Sequence, residues 1–257
     1  MDALTTSHIW YTYTGSNDPV LQDLTLNIPR GAVTAVMGPN GCGKTTLLCL
    51  FVGLMSPDKG DIRFLGRSYQ TCRRGMLKRH IGLVPQNETI PFDLSLIEYV
   101  LLGRAPFLHL LQQPRKADET IAMEAIQTVG LARFSRQPVP TLSSGERQLA
   151  SIARVLTQTP DIMLLDEPTS HLDLGNSRRI LRLMRSISKQ DSTVLFTTHD
   201  PNAAAVAADF IVMIGNEGLV AAGETERVLT EGNLSKTYSE KVEVAVTRRG
   251  PVVLTFS

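Results

Sequence analysis

Gly38-Pro39-Asn40-Gly41-Cys42-Gly43-Lys44-Thr45-Thr46 is the stretch on which the reading of this chain turns. It satisfies the pattern G-x-x-x-x-G-K-[ST] in full. Ahead of it, Ala32-Val33-Thr34-Ala35-Val36-Met37 is a short apolar run rich in β-branched residues. Behind it, Thr45-Thr46-Leu47-Leu48-Cys49-Leu50-Phe51 reads as a helix start. Strand, glycine loop and helix form the context in which the pattern cradles phosphate. Glycines let successive backbone N–H groups turn inward, where a Cβ would block the approach of a triphosphate. The following helix points its N-terminus at the anion. Lys44 supplies a mobile positive charge for the outer phosphates, and the Thr45 hydroxyl is a ligand suited to Mg²⁺.

Composition narrows the class. At 257 residues the chain suits one large domain or a core with a subdomain. A hydrophobic content of 42% is ordinary for a soluble protein with a substantial core. The formal net charge of +1 carries no signal for nucleic acid or an anionic membrane. Cys42, Cys49 and Cys72 form no C-x-x-C pair, and their scatter suits a reducing cytoplasm. Met1-Asp2-Ala3-Leu4-Thr5-Thr6 lacks the order of a signal peptide, and no apolar run reaches the length of a membrane span. A membrane role is therefore expected to need a partner.

Along the chain, residues 5–13 read as a strand and Leu24, Leu26 and Ile28 mark a second, giving an antiparallel ribbon before the glycine loop. The helix after Lys44 is expected to run to about Met55, where Ser56-Pro57-Asp58-Lys59-Gly60 stops it. A strand at residues 61–66, a basic segment at 72–80 read as a solvated helix face, and a buried strand Ile81-Gly82-Leu83-Val84 follow. From Pro91 to residue 158 the character is helical. Residues 94–111 are dense in leucine, residues 116–130 carry Ile121, Ala125, Ile126 and Val129 at helical spacing, and a helix after Gly145 carries Leu149, Ile152, Ala153 and Leu156. Buried strands return at 162–165, 193–198 and 209–214, with an amphipathic helix at 176–188. A hairpin turning at Arg248-Arg249-Gly250-Pro251 closes the sequence.

Gly38 to Thr46, Gln86, Asp166-Glu167 and His199 each follow the carboxyl end of a buried strand. In an open parallel sheet ligands bind along that edge. Asp166 suits a Mg²⁺ ligand or a turn aspartate, Glu167 a base acting on water or a solvated rim charge. His199 suits a hydrogen bond to a γ-phosphate, and Gln86 contact with both metal and water. Tyr13 suits either adenine stacking or ordinary strand packing. Leu142-Ser143-Ser144-Gly145-Glu146 opens a helix and forms a second anion site or a plain serine cap. Two anion sites in one chain point to two copies pairing head to tail, each closing the other's nucleotide.

On these residues, from about Tyr13 to Gly223, the chain resembles the nucleotide-binding subunit of an ABC transporter. The motifs fall in the family's order: the glycine loop, Gln86, the segment 142–146, Asp166-Glu167, Ser170-His171-Leu172-Asp173 and His199. The resemblance implies an α/β fold, with a P-loop NTPase (RecA-like) core at 1–90 and 159–225 that includes an N-terminal antiparallel β subdomain. It implies an inserted α-helical subdomain at 91–158 and a C-terminal extension at 226–257. It also implies site roles. Tyr13 stacks on adenine. Gly38, Pro39, Asn40, Gly41, Cys42, Gly43, Lys44, Thr45 and Thr46 hold the phosphates, and Thr45, Gln86 and Asp166 hold Mg²⁺. Gln86 couples the site to the membrane subunit. Ser143 and Gly145, flanked by Ser144 and Glu146, contact the partner copy's γ-phosphate. Glu167 is the base, Asp173 the D-loop aspartate and His199 the switch.

The family's usual signature is Leu-Ser-Gly-Gly-Gln. Ser144 and Glu146 depart from it while Ser143 and Gly145 keep the contact positions. Cys42 stands where the family has a small residue, and suits either a packed side chain or a reactive thiol. Within the family, Val100-Leu101-Leu102-Gly103-Arg104-Ala105-Pro106-Phe107 and the tail from Gly223 resemble importers of metal chelates: iron–siderophore, haem or cobalamin, with molybdate relatives. ATP and Mg²⁺ are then the expected ligands. A second copy, an integral membrane permease and, indirectly, a periplasmic or lipoprotein substrate-binding protein are the expected partners, with no nucleic acid. The expected location is cytoplasmic, peripheral on the inner face of the cell membrane. The alternative reading is an ABC ATPase of an exporter or of a non-transport assembly.

Overall fold

The computed structural model describes residues 2–72, 74–88, 93–109, 112–189, 192–247 and 250–255. Strands β1 (Asp2–Tyr11) and β2 (Leu21–Pro29) pair antiparallel, as the alternation of Leu24, Leu26 and Ile28 requires. β3 (Val33–Met37) leads through the glycine loop into α1 (Lys44–Phe51). That helix ends four residues before the expected Met55, because Gly53 takes a left-handed φ of 75° and its N–H turns back to the Leu50 carbonyl. β4 (Lys59–Phe64) and the short β5 (Arg67–Ser68) do not stand apart. They complete a four-stranded antiparallel sheet ordered β2-β1-β4-β5. α2 (Arg74–His80) is mostly solvated, but Leu77 is buried from it into the core beneath α1. Arg73, Pro91 and Leu111 lie outside the described residues.

The second sheet carries the site. β6 (Ile81–Val84), β7 (Ile162–Leu165), β8 (Thr193–Thr198) and β9 (Phe210–Gly215) join β3 in a parallel array, and β10 (Gly218–Glu224) closes one edge antiparallel. The order is β10-β9-β3-β8-β7-β6. The parallel strands read as largely apolar runs because both faces are covered. Val33, Ala35, Met37, Met163, Leu165, Val194, Phe196, Ile211 and Met213 face one core, and Val36, Ile162, Leu164, Leu195, Val212 and Ile214 face the other. The second core is shared with α1 and the antiparallel sheet.

Between β6 and β7 come α3 (Leu96–Leu101), a 3-10 segment Leu102–Phe107, α4 (Lys116–Thr128) and α5 (Ser144–Thr157), which pack on one another. Leu149, Ile152 and Ala153 are fully buried, as their spacing predicts. α6 (Leu174–Ser188) buries Ile180, Leu183, Met184 and Ile187. The sequence reading did not assign α7 (Pro201–Ala207), β10, α8 (Thr225–Val228) or α9 (Glu231–Tyr238). β10 is built largely of Gly and Ala and lies on a half-exposed edge, so neither propensity nor period marks it. β11 (Val242–Thr247) and β12 (Gly250–Thr255) form the expected hairpin, whose turn at Arg248-Arg249 lies outside the described residues. Among the described residues no helix is long and apolar enough to cross a membrane.

Candidate active site

The glycine loop lies between β3 and α1. A Cβ on Gly38 would stand 2.1 Å from the Ile214 carbonyl oxygen and 2.6 Å from Cys42 Sγ, so only glycine fits. Gly43, with φ at 95°, has Leu21 Cδ2 2.6 Å from where a Cβ would be. Lys44 is 6% exposed and curls back over the loop, its Nζ donating to the Gly38 and Pro39 carbonyls at 2.9 Å each. Cys42 is buried, and that burial pushes its thiol pKa up against the pull of the Lys44 charge and nearby backbone N–H groups. Of the two readings of this cysteine, the structure favours the packed side chain. The thiolate needed for reactivity is disfavoured.

The strand ends converge as the parallel order predicts. The Thr45 hydroxyl donates to Asp166 Oδ2 at 2.8 Å, and the Thr197 hydroxyl donates to Asp166 Oδ1 at 2.6 Å. Thr197 in turn accepts the Glu167 backbone N–H at 2.8 Å. The Thr45 and Asp166 oxygens are hard donors of the kind that suit Mg²⁺, which takes one or two protein oxygens and keeps water and phosphate for the rest. Thr197 is a site residue the sequence reading did not single out. A threonine inside a buried strand carries no motif, and only its position beside β7 gives it a role.

Glu167 is the hub. Its backbone adopts φ of 43°, a left-handed conformation costly for a side chain with a Cβ. That conformation is held by the N–H bond to Thr197 and by Ser170, whose N–H and hydroxyl both donate to the Glu167 carbonyl at 3.1 and 2.9 Å. The carboxylate is thereby aimed into the site. Gln86 Nε2 donates to its Oε2 at 3.2 Å, His199 Nδ1 lies 3.2 Å from the same oxygen, and Lys44 Nζ is 3.8 Å from Oε1. These residues and Asn40, Gly41, Gly43, Thr45, Thr46, His171 and Tyr13 line a cavity of about 620 Å³. Tyr13 is at the rim, 40% exposed, with its hydroxyl 2.9 Å from Thr46 Oγ1 and its ring edge-on to Tyr11.

The segment 142–146 is elsewhere. None of its residues lines that cavity. Ser143 is the N-cap of α5, and it forms a capping box with Glu146. Its hydroxyl and backbone N–H donate to Glu146 Oε2 at 2.7 and 2.9 Å, and its Oγ accepts the Glu146 N–H at 3.3 Å. Ser144 is the first residue of the helix. Gly145 passes under α6, where a Cβ would come within 2.7 Å of the Asn176 amide. Asp173 caps α6 through the Asn176 N–H at 2.8 Å and the Asn176 amide at 2.7 Å. The Ser143 backbone N–H, then its hydroxyl, hold the Glu146 carboxyl below the usual range, with Arg133 and Arg179 adding to the effect. A carboxylate with a lowered folded-state pKa stabilises the fold above its unfolded pKa and loses that contribution as pH falls through the folded value. Glu146→Ala is therefore expected to lower stability by about 0.5–1 kcal/mol at pH 7. The difference from the parent chain should shrink when urea melts are repeated at progressively lower pH. A difference independent of pH would rule out the charged cap.

The segment after Gln86 is tied to the helices. Two residues on, Glu88 Oε2 accepts from the Tyr99 hydroxyl at 2.5 Å, the Ser151 hydroxyl at 3.1 Å and Arg154 Nη2 at 3.2 Å, while Arg154 Nε donates to the Tyr99 hydroxyl at 3.1 Å. Burial pushes the Tyr99 phenol up to about 12, so it stays a donor. This network links the segment after β6 to α3 and α5, and no local pattern announces it.

The sequence profile of the ABC transporter family matches residues 21–170. The manganese transport system ATP-binding protein MntB of Bacillus subtilis is 36% identical over 226 residues, covering 87% of this chain and 88% of that protein. The ferric enterobactin transport ATP-binding protein FepC of Escherichia coli is 38% identical over 220 residues, covering 85% and 81%. Among solved structures, a chain of a metal-chelate type ABC transporter in an inward-facing conformation superposes with a TM-score of 0.87 at 31% identity, over 100% of this chain and 98% of that one. The profile spans more than half of the chain and these relatives span most of it, so the chain belongs to the ABC transporter family, in which it is an ATP-binding, ATP-hydrolysing subunit.

Proposed function

We propose that two copies of this chain close head to tail around ATP and drive uptake of a metal chelate through a membrane permease. The observation that carries this reading is the separation within one chain of the glycine loop from the helix start at Ser143–Gly145, which we read as a second anion site. The glycine loop and Glu167 share one cavity, while Ser143 and Gly145 lie outside it at the start of α5. A phosphate bound at Lys44 would be left open on one side, and a second copy would cover it with Ser143 and Gly145. In the closed pair, Lys44 and the loop N–H groups hold the phosphates. Glu167, relieved of its contact with Lys44, orients and deprotonates water. His199 and Gln86 stay within reach of its carboxylate. Thr45, Asp166 and Gln86 would hold Mg²⁺, which supplies charge neutralisation at the phosphates when bound. Tyr13 at the rim would stack on adenine, and Asp173 would face the partner.

The helices between β6 and β7, taken as the unit 91–158, would carry Ser143 of each copy. Gln86 and residues 87–111 would take the permease contact, and the Glu88 network would pass its movement on to α5. The solute is argued from relatives whose names specify manganese and ferric enterobactin, and from the metal-chelate type of the superposed transporter. A substrate-binding protein outside the membrane would deliver it, and the chain would work on the inner face. Affinity purification of the tagged full chain from detergent-solubilised membranes tests this. A multi-span membrane protein should co-purify, and the ATPase rate of the reconstituted complex should rise when metal-chelate-loaded binding protein is added. A chain recovered solely as a free ATPase, with no membrane partner, would overturn the transport reading.

A further inference from the structure

Where the C-terminal extension crosses the switch loop, it makes contacts that ATP hydrolysis as described above does not use. α9 is anchored by Leu234 and Thr237, both fully buried, and ends where Ser239 takes a left-handed φ of 58°, leaving Tyr238 as its last residue. The Tyr238 hydroxyl donates to the His199 carbonyl at 3.2 Å. Burial raises the phenol's pKa, Cys42, Asp200 and Glu167 push it the same way, and the Gly38 backbone N–H opposes them. The hydroxyl therefore remains a protonated donor to the switch loop. A second tie lies three residues further on. Asn202 Oδ1 accepts the Val253 N–H at 2.8 Å and Asn202 Nδ2 donates to the Val253 carbonyl at 3.2 Å, so a side-chain amide pairs with β12 as a strand would. Glu231 joins α9 to β11 by accepting the Val244 N–H at 3.0 Å.

The His199 ring itself has little to hold it. Its side chain is 56% exposed and touches Glu167 Oε2 at 3.2 Å. An exposed ring with one polar contact is oriented chiefly by its backbone. The backbone carbonyl of this residue is the one that Tyr238 grips.

We propose that Tyr238 is a positioning residue for His199, its hydroxyl holding the switch-loop carbonyl while the hairpin's grip on Asn202 braces the start of α7, into which that loop runs. The proposal rests on the reading of His199 as the switch that acts with Glu167. It makes the extension part of the hydrolytic apparatus without touching nucleotide.

The test is a double-mutant cycle in the full chain. Tyr238→Phe keeps the ring and its packing and removes only the hydroxyl. Loss of one neutral hydrogen bond is expected to lower kcat about fivefold. KM for ATP and the affinity for a fluorescent ATP analogue should stay within about twofold, because the cavity lining is unchanged. Asn202→Ala loosens the start of α7, just after that loop, without altering the phenol, and should lower kcat in the same direction. His199→Ala alone should lower kcat further, and adding either substitution to it should change nothing more, since there is no ring left to position. A normal kcat in Tyr238→Phe overturns the proposal. So does a fivefold loss that persists in the His199→Ala background, which marks a purely structural role. Full turnover in His199→Ala is a separate result that overturns the switch reading itself, and with it the reason for Tyr238 to matter.

Discussion

Glu167→Gln is expected to yield a chain that binds ATP and accumulates as a closed dimer, with turnover reduced about a hundredfold or more, the loss that follows removal of a general base. The substitution is isosteric, so the backbone conformation at φ 43°, the N–H bond to Thr197 and the bond from Ser170 should be retained. What disappears is the negative charge and its basicity. In the free chain that charge faces Lys44 Nζ at 3.8 Å, in a site where both side chains are largely buried. When a γ-phosphate arrives at Lys44, two anions compete for one cation. Removing the carboxylate relieves that repulsion and removes the acceptor for water's proton at the same time. Binding should therefore hold or strengthen while hydrolysis stalls. Steady-state phosphate release and size-exclusion chromatography with ATP read the two halves of the prediction. Near-normal turnover in the assembled transporter would remove Glu167 from the role of base.

Ser143→Arg should reduce hydrolysis to background while the single chain still binds nucleotide. The residue is at the N-cap of α5, outside the cavity lined by the glycine loop, so nothing in the binding half of the site changes. On the proposed pairing, the incoming partner would meet a long cationic side chain at the position where a small hydroxyl and helix N–H groups would otherwise face its phosphate. The substitution also removes the cap, at a cost of about 1 kcal/mol, and places positive charge at a helix N-terminus, where it is unfavourable. Ser143→Asn controls for this, because Asn caps as well as Ser does. It should keep stability while still losing most of the activity. Calorimetry with ATP, paired with thermal unfolding, separates the outcomes. Loss of nucleotide binding together with stability would mark a folding defect and leave no case for a trans-acting phosphate contact.

Much of the fold was legible in local pattern. Strands buried on both faces read as apolar runs, so β3, β6, β7 and β8 stood out to within a residue. Helices with one buried face repeat every three or four residues, so α4, α5 and α6 stood out too, though α4 ends and α6 starts two residues earlier than expected. The misses have physical causes. α1 stopped early because a single left-handed Gly53 outweighs a continuing apolar pattern. β10 escaped because an edge strand of small residues has neither period nor propensity. α9 escaped because only Leu234 and Thr237 are deeply buried along it.

The candidate site divides along the same line. The glycine loop and Asp166-Glu167 are contiguous, and their chemistry depends on spacing within a few residues, which the sequence states directly. It pointed to a loop shaped for a triphosphate and to a pair of carboxylates at the end of another buried strand. It did not determine which strands are neighbours. The order β9-β3-β8-β7-β6 inserts β8 between the glycine loop and Asp166, and that insertion alone makes Thr197 the link between Asp166 and Glu167. The same holds for Glu88 with Tyr99 and Arg154, and for Tyr238 with His199. Each is a bond between segments far apart in the chain, made by side chains with no motif of their own. Local spacing is written in the sequence because the backbone's own periodicity enforces it. Distances across the sheet exist only once strand order is chosen, and burial of both faces of the whole sheet makes that choice.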